Sequence, residues 1–144
     1  MPSGTIAIAS DHAGVELKRV LAEELKRMGR DVLDLGTGGS ESVDYPDLAD
    51  RLAEALRAKK AEQGVLVCGT GIGISIAANR HRHIRAALCH DASTARLARA
   101  HNDANVLVLG ARTTGVEVAR DCLKTFSETP FEGGRHEGRV AKLG

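Results

Sequence analysis

The strongest constraint on the fold is an alternation along the chain. Short runs rich in branched residues lie at 5–9, 31–35, 64–68, 84–89 and 105–109. Runs of that length, bounded by turn residues, fit strands buried on both faces. The segments between them carry helical stripes: Leu17, Leu21, Leu25 and Met28, then Leu48, Leu52 and Leu56, then Val116, Ala119, Leu123 and Phe126. Each stripe gives a helix one apolar face. Boundary residues agree: Asp11 and Asp91 stand where N-caps belong, Pro46 suits a first helical position, and Gly29 ends the first helix. Strand followed by helix, five times over, predicts an α/β fold: a five-stranded parallel sheet with helices on both faces, in three layers.

Composition narrows the function. Aromatic residues are only 2% of the chain, so the core must be Leu, Val, Ile and Ala, and base-stacking platforms for nucleic acid are nearly excluded. A net charge of +1 gives no field that would draw the chain to nucleic acid or a membrane surface. Three cysteines, at 68, 89 and 122, are an odd set that fits no disulfide framework and suits a reducing compartment; the expectation is a cytoplasmic protein. The opening Met1-Pro2-Ser3-Gly4 lacks a basic region and a long apolar run, so no leader peptide is expected, and no apolar run approaches 18 residues. The 144 residues read as one domain, 1–144, whose tail from about 130 has no strand partner but is rich in Gly, Arg and His.

Open parallel sheets bind ligands beyond the carboxyl ends of their strands. There the sequence gathers Ser10, Asp11 and His12 after the first strand and Asp44 and Tyr45 after the second. Cys68, Gly69, Thr70, Gly71, Gly73 and Ser75 follow the third, His90 and Asp91 the fourth, and Gly110 and Arg112 the fifth. The stretch VLVCGTGIGISIAAN, 65–79, runs from a strand through a glycine turn into a helix. Such a turn leaves N–H groups free beside a helix N-terminus, a setting that stabilises a phosphate or a developing enediolate. Cys68 stands at its mouth, where a thiol can titrate toward neutrality and act as a base, or can simply be a buried core residue. For Cys89 and Cys122 the core reading is preferred.

Other patterns are weaker. No Lys follows the glycines, so the Walker pattern fails. Gly69 and Gly71 match part of a dinucleotide fingerprint, but Ile74 stands where Gly or Ala is needed. A nucleotide-binding module is therefore the second reading, and a non-catalytic sensor on the same fold the third. The His81–Arg82–His83 turn is read as solvated surface and only weakly as a metal pair. Arg135 and Arg139 share a face if helical and could then hold a phosphate dianion.

Taken together, ASDHAG (9–14), DYP (44–46), VCGTGIGISIAAN (67–79), HNDANVL (101–107), LGAR (109–112) and GGRHEGR (133–139) resemble the ribose-5-phosphate isomerase type B family, which also holds galactose-6-phosphate isomerase subunits and enzymes acting on allose 6-phosphate. The resemblance spans the chain. It implies a Rossmann-like fold, a sugar-phosphate substrate, no cofactor or metal, and a homodimer with shared sites, or a tetramer. It implies Cys68 as the base between C1 and C2, Thr70 bonding the reacting oxygens, and His101 opening the furanose ring. In one branch of the family a Glu later in the glycine loop is the base; no Glu stands near Ser75 here. The backbone of 69–75, including Gly69, Gly71, Gly73 and Ser75, would hold the enediolate. Asp11, Tyr45 and Asn102 would bind the sugar, and His12, Arg112, Arg135 and Arg139 the phosphate.

One expectation needs no resemblance. His101 and Asn102 precede the fifth strand and so lie near its amino end, whereas Cys68 ends the third strand. In a parallel sheet those are opposite edges, about 17–20 Å apart. If both residues serve one site, a second subunit must supply one of them.

Overall fold

The computed structural model describes residues 4–144. Its strands are β1 (Thr5–Ser10), β2 (Asp31–Asp34), β3 (Gln63–Cys68), β4 (Ala86–Leu88) and β5 (Val106–Gly110). Its helices are α1 (Val15–Arg27), α2 (Tyr45–Arg57), α3 (Ile72–Asn79), α4 (Ala92–Asn102), α5 (Val116–Glu128) and α6 (Arg135–Ala141), and a short 3-10 turn, His12–Gly14, leads into α1. All five strands are parallel, in the order β2-β1-β3-β5-β4. The expected α/β/α layering is present.

Strand alternation sends successive residues to opposite faces. Ile6, Ile8, Val65, Val67, Leu107 and Leu109 meet α1, α4 and α5 through Leu21, Ala95, Leu123 and Phe126. Ala7, Ala9, Leu66, Cys68, Val106 and Val108 meet α2 and α3 through Leu48, Leu52, Ile74 and Ala78. A fully buried Leu such as Leu21 or Leu52 contributes about 1.5–3 kcal/mol relative to exposure. Because α1 leaves β1 on one face and α3 leaves β3 on the other, the two adjacent strands open a crevice at their carboxyl ends.

The ends of β1, β2, β3 and β5 shift by one residue from expectation, and three further differences concern β4, α2 and the tail. β4 spans Ala86–Leu88 rather than 84–89. Its outer edge is closed by Asn79, whose amide donates to Ala86 O at 2.9 Å and accepts from Ala86 N at 2.8 Å, replacing a neighbouring strand. Tyr45, not Pro46, begins α2, with Pro46 still in the first turn where its missing N–H costs nothing. The tail also forms a helix, α6, entered through Gly133 and Gly134, which both have positive φ. No helix among the described residues is long and apolar enough to cross a membrane.

Candidate active site

Backbone hydrogen bonds knit the loops at the carboxyl edge together. Ser10 N donates to Gly36 O at 2.8 Å, Asp11 N to Val67 O at 3.2 Å, Ala111 N to Cys68 O at 2.9 Å and Arg112 N to Gly69 O at 2.8 Å. Four strand ends thus form one surface, and each expected residue there has a defined place. Asp11 is buried and caps the 3-10 turn, one carboxylate oxygen accepting from Ala13 N and Gly14 N. His12 Nδ1 accepts from Val43 N at 3.2 Å, which leaves its ring proton on Nε2.

The glycine turn is the centre of this surface. Cys68 is 5% exposed, and its Sγ accepts from Gly71 N at 3.2 Å. Gly71 has φ +79, a conformation that favours glycine, and a Cβ there would lie 2.5 Å from Leu88 Cδ1. Thr70 Oγ1 accepts from Ile72 N at 3.2 Å, so its own proton remains available to donate. Tyr45 leans on the first turn of α3: a Cβ on Gly73 would come within 2.6–2.9 Å of its ring and hydroxyl. The Arg112 guanidinium covers Gly69, with Nη1 3.5 Å from the position of a Cβ, and it has no carboxylate within 4 Å among the described residues.

The expected backbone anion hole is narrower than 69–75. Gly71 N is taken by the Cys68 sulfur, Ile72 N by Thr70 Oγ1, and Ser75 N by Gly71 O, while Ser75 Oγ donates to Ile72 O. The N–H groups of Gly69, Thr70, Gly73 and Ile74 take no protein partner among the described residues. They are free to donate to a bound anion.

The remaining expected residues lie elsewhere. His101 and Asn102 end α4, and Asp103 to Asn105 lead from there into the amino end of β5. Gly110, the residue paired with Cys68, is the far end of β5, roughly 13 Å along the strand at about 3.3 Å per residue. Arg135 and Arg139 occupy exposed positions of α6, one turn apart. One chain therefore carries two half-sets on opposite edges.

His136 and Glu132 belong to the second half-set, and no role was expected for either. His136, 6% exposed, stacks on His101 with centroids 4.3 Å apart and planes 16° apart. Glu132 Oε1 lies 3.9 Å from His101 Nε2 and 3.7 Å from His136 Nε2. The three could present metal ligands within 4.8 Å of one another. An ion held by two imidazoles lies near both ring planes, however, and two nearly parallel rings offer it no common point. Arg135 Nε also stands 3.5 Å from His136 Nε2. This is a stacked pair beside one carboxylate, docking α6 on α4. The GGRHEGR stretch held the clue, since its histidine is the buried residue between two exposed arginines.

Burial, followed by His101 and Arg135, pushes the His136 imidazole below its ordinary value of 6.5. The fold thus favours neutral His136. Its contribution is full above the unfolded pKa, near 6.5, and declines as pH falls below it. Acidification from about pH 7.5 to about pH 5.5 is therefore expected to lower the amide protection factors of α6, exchange rates being referred to the intrinsic rate at each pH, before those of α5. Equal protection of α6 at both pH values would contradict that role.

Cys89 and Cys122 are core residues, and burial pushes each thiol up to about 11. The His81–Arg82–His83 turn is not simply solvated surface: His81 Nε2 meets Asp50 Oδ1 at 2.8 Å, and His83 Nε2 donates to Ala53 O at 2.8 Å.

Comparison with known proteins matches residues 6–143 to the Ribose/Galactose Isomerase family. The chain is 44% identical to ribose-5-phosphate isomerase B of Escherichia coli over 138 residues, 96% of this chain and 93% of that protein. It is 42% identical to D-erythrulose-4-phosphate isomerase of Pectobacterium atrosepticum over 143 residues, 97% of this chain and 93% of that one. Among solved structures, ribose-5-phosphate isomerase B of Clostridium thermocellum superposes with a TM-score of 0.95 at 50% identity, covering 97% of this chain and 95% of that chain.

Proposed function

The chain belongs to the Ribose/Galactose Isomerase family, and on that premise we propose that it interconverts ribose 5-phosphate and ribulose 5-phosphate through an enediolate. The observation that carries this reading is the Cys68 turn: a thiol at a strand end, beside four unengaged N–H groups and an unpaired arginine, is a base next to an oxyanion site.

The chemistry follows from those groups. Cys68 takes the proton from C2 of the open aldose. The C1 carbonyl gains charge as the enediolate forms, and the N–H groups of Gly69, Thr70, Gly73 and Ile74 hold it. The Thr70 hydroxyl serves the transfer of a proton from O2 to O1, and the proton on Cys68 returns to C1 to give the ketose. Asp11, Tyr45 and Asn102 hold the sugar hydroxyls. His12, Arg112, Arg135 and Arg139 hold the phosphate, a remote handle that orients the reacting end. Proton transfer of this kind calls for no redox cofactor or metal.

Ring opening falls to His101, which one chain keeps at the other edge of its sheet. The functional unit is therefore a homodimer with two shared sites. Ile72 and Ile76 on α3, 54% and 55% exposed, and Tyr45, 40% exposed, support this by giving the Cys68 half-set an apolar border that a second copy would cover. Three unpaired cysteines suit a cytoplasmic enzyme.

Chelator-treated protein assayed on ribose 5-phosphate, allose 6-phosphate and galactose 6-phosphate tests the reading. Ribose 5-phosphate should give the highest kcat/KM, unchanged by chelation. A higher kcat/KM on either six-carbon phosphate, or a rate restored only by a divalent ion, would overturn it.

A further inference from the structure

The amino edge of the sheet carries a feature that the Cys68 site does not use. A cavity of about 990 Å³ opens there, lined by Arg57, Lys59, Arg80 and Arg82, with Glu62 as its one carboxylate side chain. Lys59 and Glu62 lie between α2 and β3, so this cavity is at the opposite end of β3 from Cys68, about 16 Å away at about 3.3 Å per residue.

Ordinary helix chemistry explains part of the charge. Arg57 and Arg80 stand at the C-terminal ends of α2 and α3, where a cation complements the free carbonyls. Arg57 also lies 3.9 Å from Glu54. Lys59 and Arg82 lie beyond those helices. With Arg80, they have no carboxylate within 4 Å among the described residues. Cations gathered around one concavity repel each other unless an anion lies between them. The floor is different: Leu56 and Ala61 are apolar, and the His81 and His83 rings stand edge to face, 6.0 Å apart, along the wall. The hydrogen bonds of His81 to Asp50 and of His83 to Ala53 O fix that wall.

We infer that this cavity is a second anion site, distinct from the Cys68 site, for a small organic polyphosphate whose phosphates meet Lys59, Arg80 and Arg82 and whose organic part rests on Leu56 and the histidine wall. A volume of that order suits a nucleoside di- or triphosphate and far exceeds a single phosphate. The inference stands independently of the reaction assigned to Cys68.

Calorimetric titration of the whole protein with ADP, with tripolyphosphate and with inorganic phosphate, at equal ionic strength, tests it. ADP should bind saturably, one per chain, and weaken as salt rises. Tripolyphosphate should bind less tightly than ADP, and inorganic phosphate should remain bound after Lys59→Gln/Arg82→Gln, since its site is the clamp. That double variant alters exposed side chains outside the catalytic set, so it should keep basal isomerase activity while ADP affinity falls at least about tenfold, the loss of roughly one charge-assisted contact. Arg135→Ala/Arg139→Ala should leave ADP affinity unchanged. Tripolyphosphate binding as tightly as ADP would reject the organic part of the ligand. Absence of saturable ADP binding would overturn the site. So would ADP binding lost with Arg135 and Arg139 but kept without Lys59 and Arg82, or a changed subunit stoichiometry in the Lys59/Arg82 variant, which would assign this face to a second copy.

Discussion

Cys68→Ala is expected to lower kcat on ribose 5-phosphate by about 10²–10⁴, the usual worth of a positioned proton-transfer group. Residues 69–75 contain no carboxylate, imidazole or amine that could take its place. The change should fall mainly on kcat, because proton abstraction belongs to the transition state while the phosphate handle binds elsewhere. Cys89→Ala and Cys122→Ala should leave kcat intact. Both thiols are buried in the core with pKa values pushed up to about 11, so their loss costs packing, about 1 kcal/mol each. A Cys68→Ala enzyme with wild-type kcat would send the search to His90 and Asp91. Asp91 is already engaged as the α4 cap: its carboxylate accepts from Thr94 N at 2.7 Å, and that bond holds it below its ordinary value.

His101→Asn is expected to discriminate between substrates. Ribose 5-phosphate rests mostly as a furanose closed through O4, which must open before C2 can lose its proton. A four-carbon aldose 4-phosphate cannot close that ring, because its O4 carries the phosphate. The variant should therefore lose about 10² in kcat on ribose 5-phosphate. It should keep its rate on the four-carbon substrate. Equal losses on both would place His101 in the isomerisation step or in folding.

The sheet was legible because each strand is a short apolar run flanked by turn residues, so 105–109 and Val106–Gly110 differ by a single residue. Overreach at β4 came from Ile84, which extends the apolar run toward the strand; its N–H instead donates to His81 O, and the neighbouring Arg85 N and His83 O are taken by the side chain of Asn105, 20 positions from Arg85. The helix α6 could be read only as a condition on Arg135 and Arg139 because its seven residues include Gly138 and carry no apolar stripe; tertiary docking through His136 holds it instead. At the site, the residue types and their edges could be read from whether each residue precedes or follows a strand run. The division of N–H groups within the glycine turn could not, since it depends on where Cys68 Sγ and Thr70 Oγ1 point. The cavity beside Arg82 was equally hidden: a basic turn looks like solvated charge until α2 is known to pack beside it.

Under the proposed reaction, two copies of this chain build each site, one giving Cys68 and the other His101. Mixing two inactive variants, Cys68→Ala and His101→Asn, measures this sharing directly. In a mixed dimer with shared sites, one site carries both lesions and the other carries neither. After full exchange of equal amounts, half of the dimers are mixed and half of their sites are intact, so ribose 5-phosphate isomerisation should return to about a quarter of the wild-type rate. No recovery, with subunit exchange verified by mass spectrometry of native dimers, would contradict the shared site.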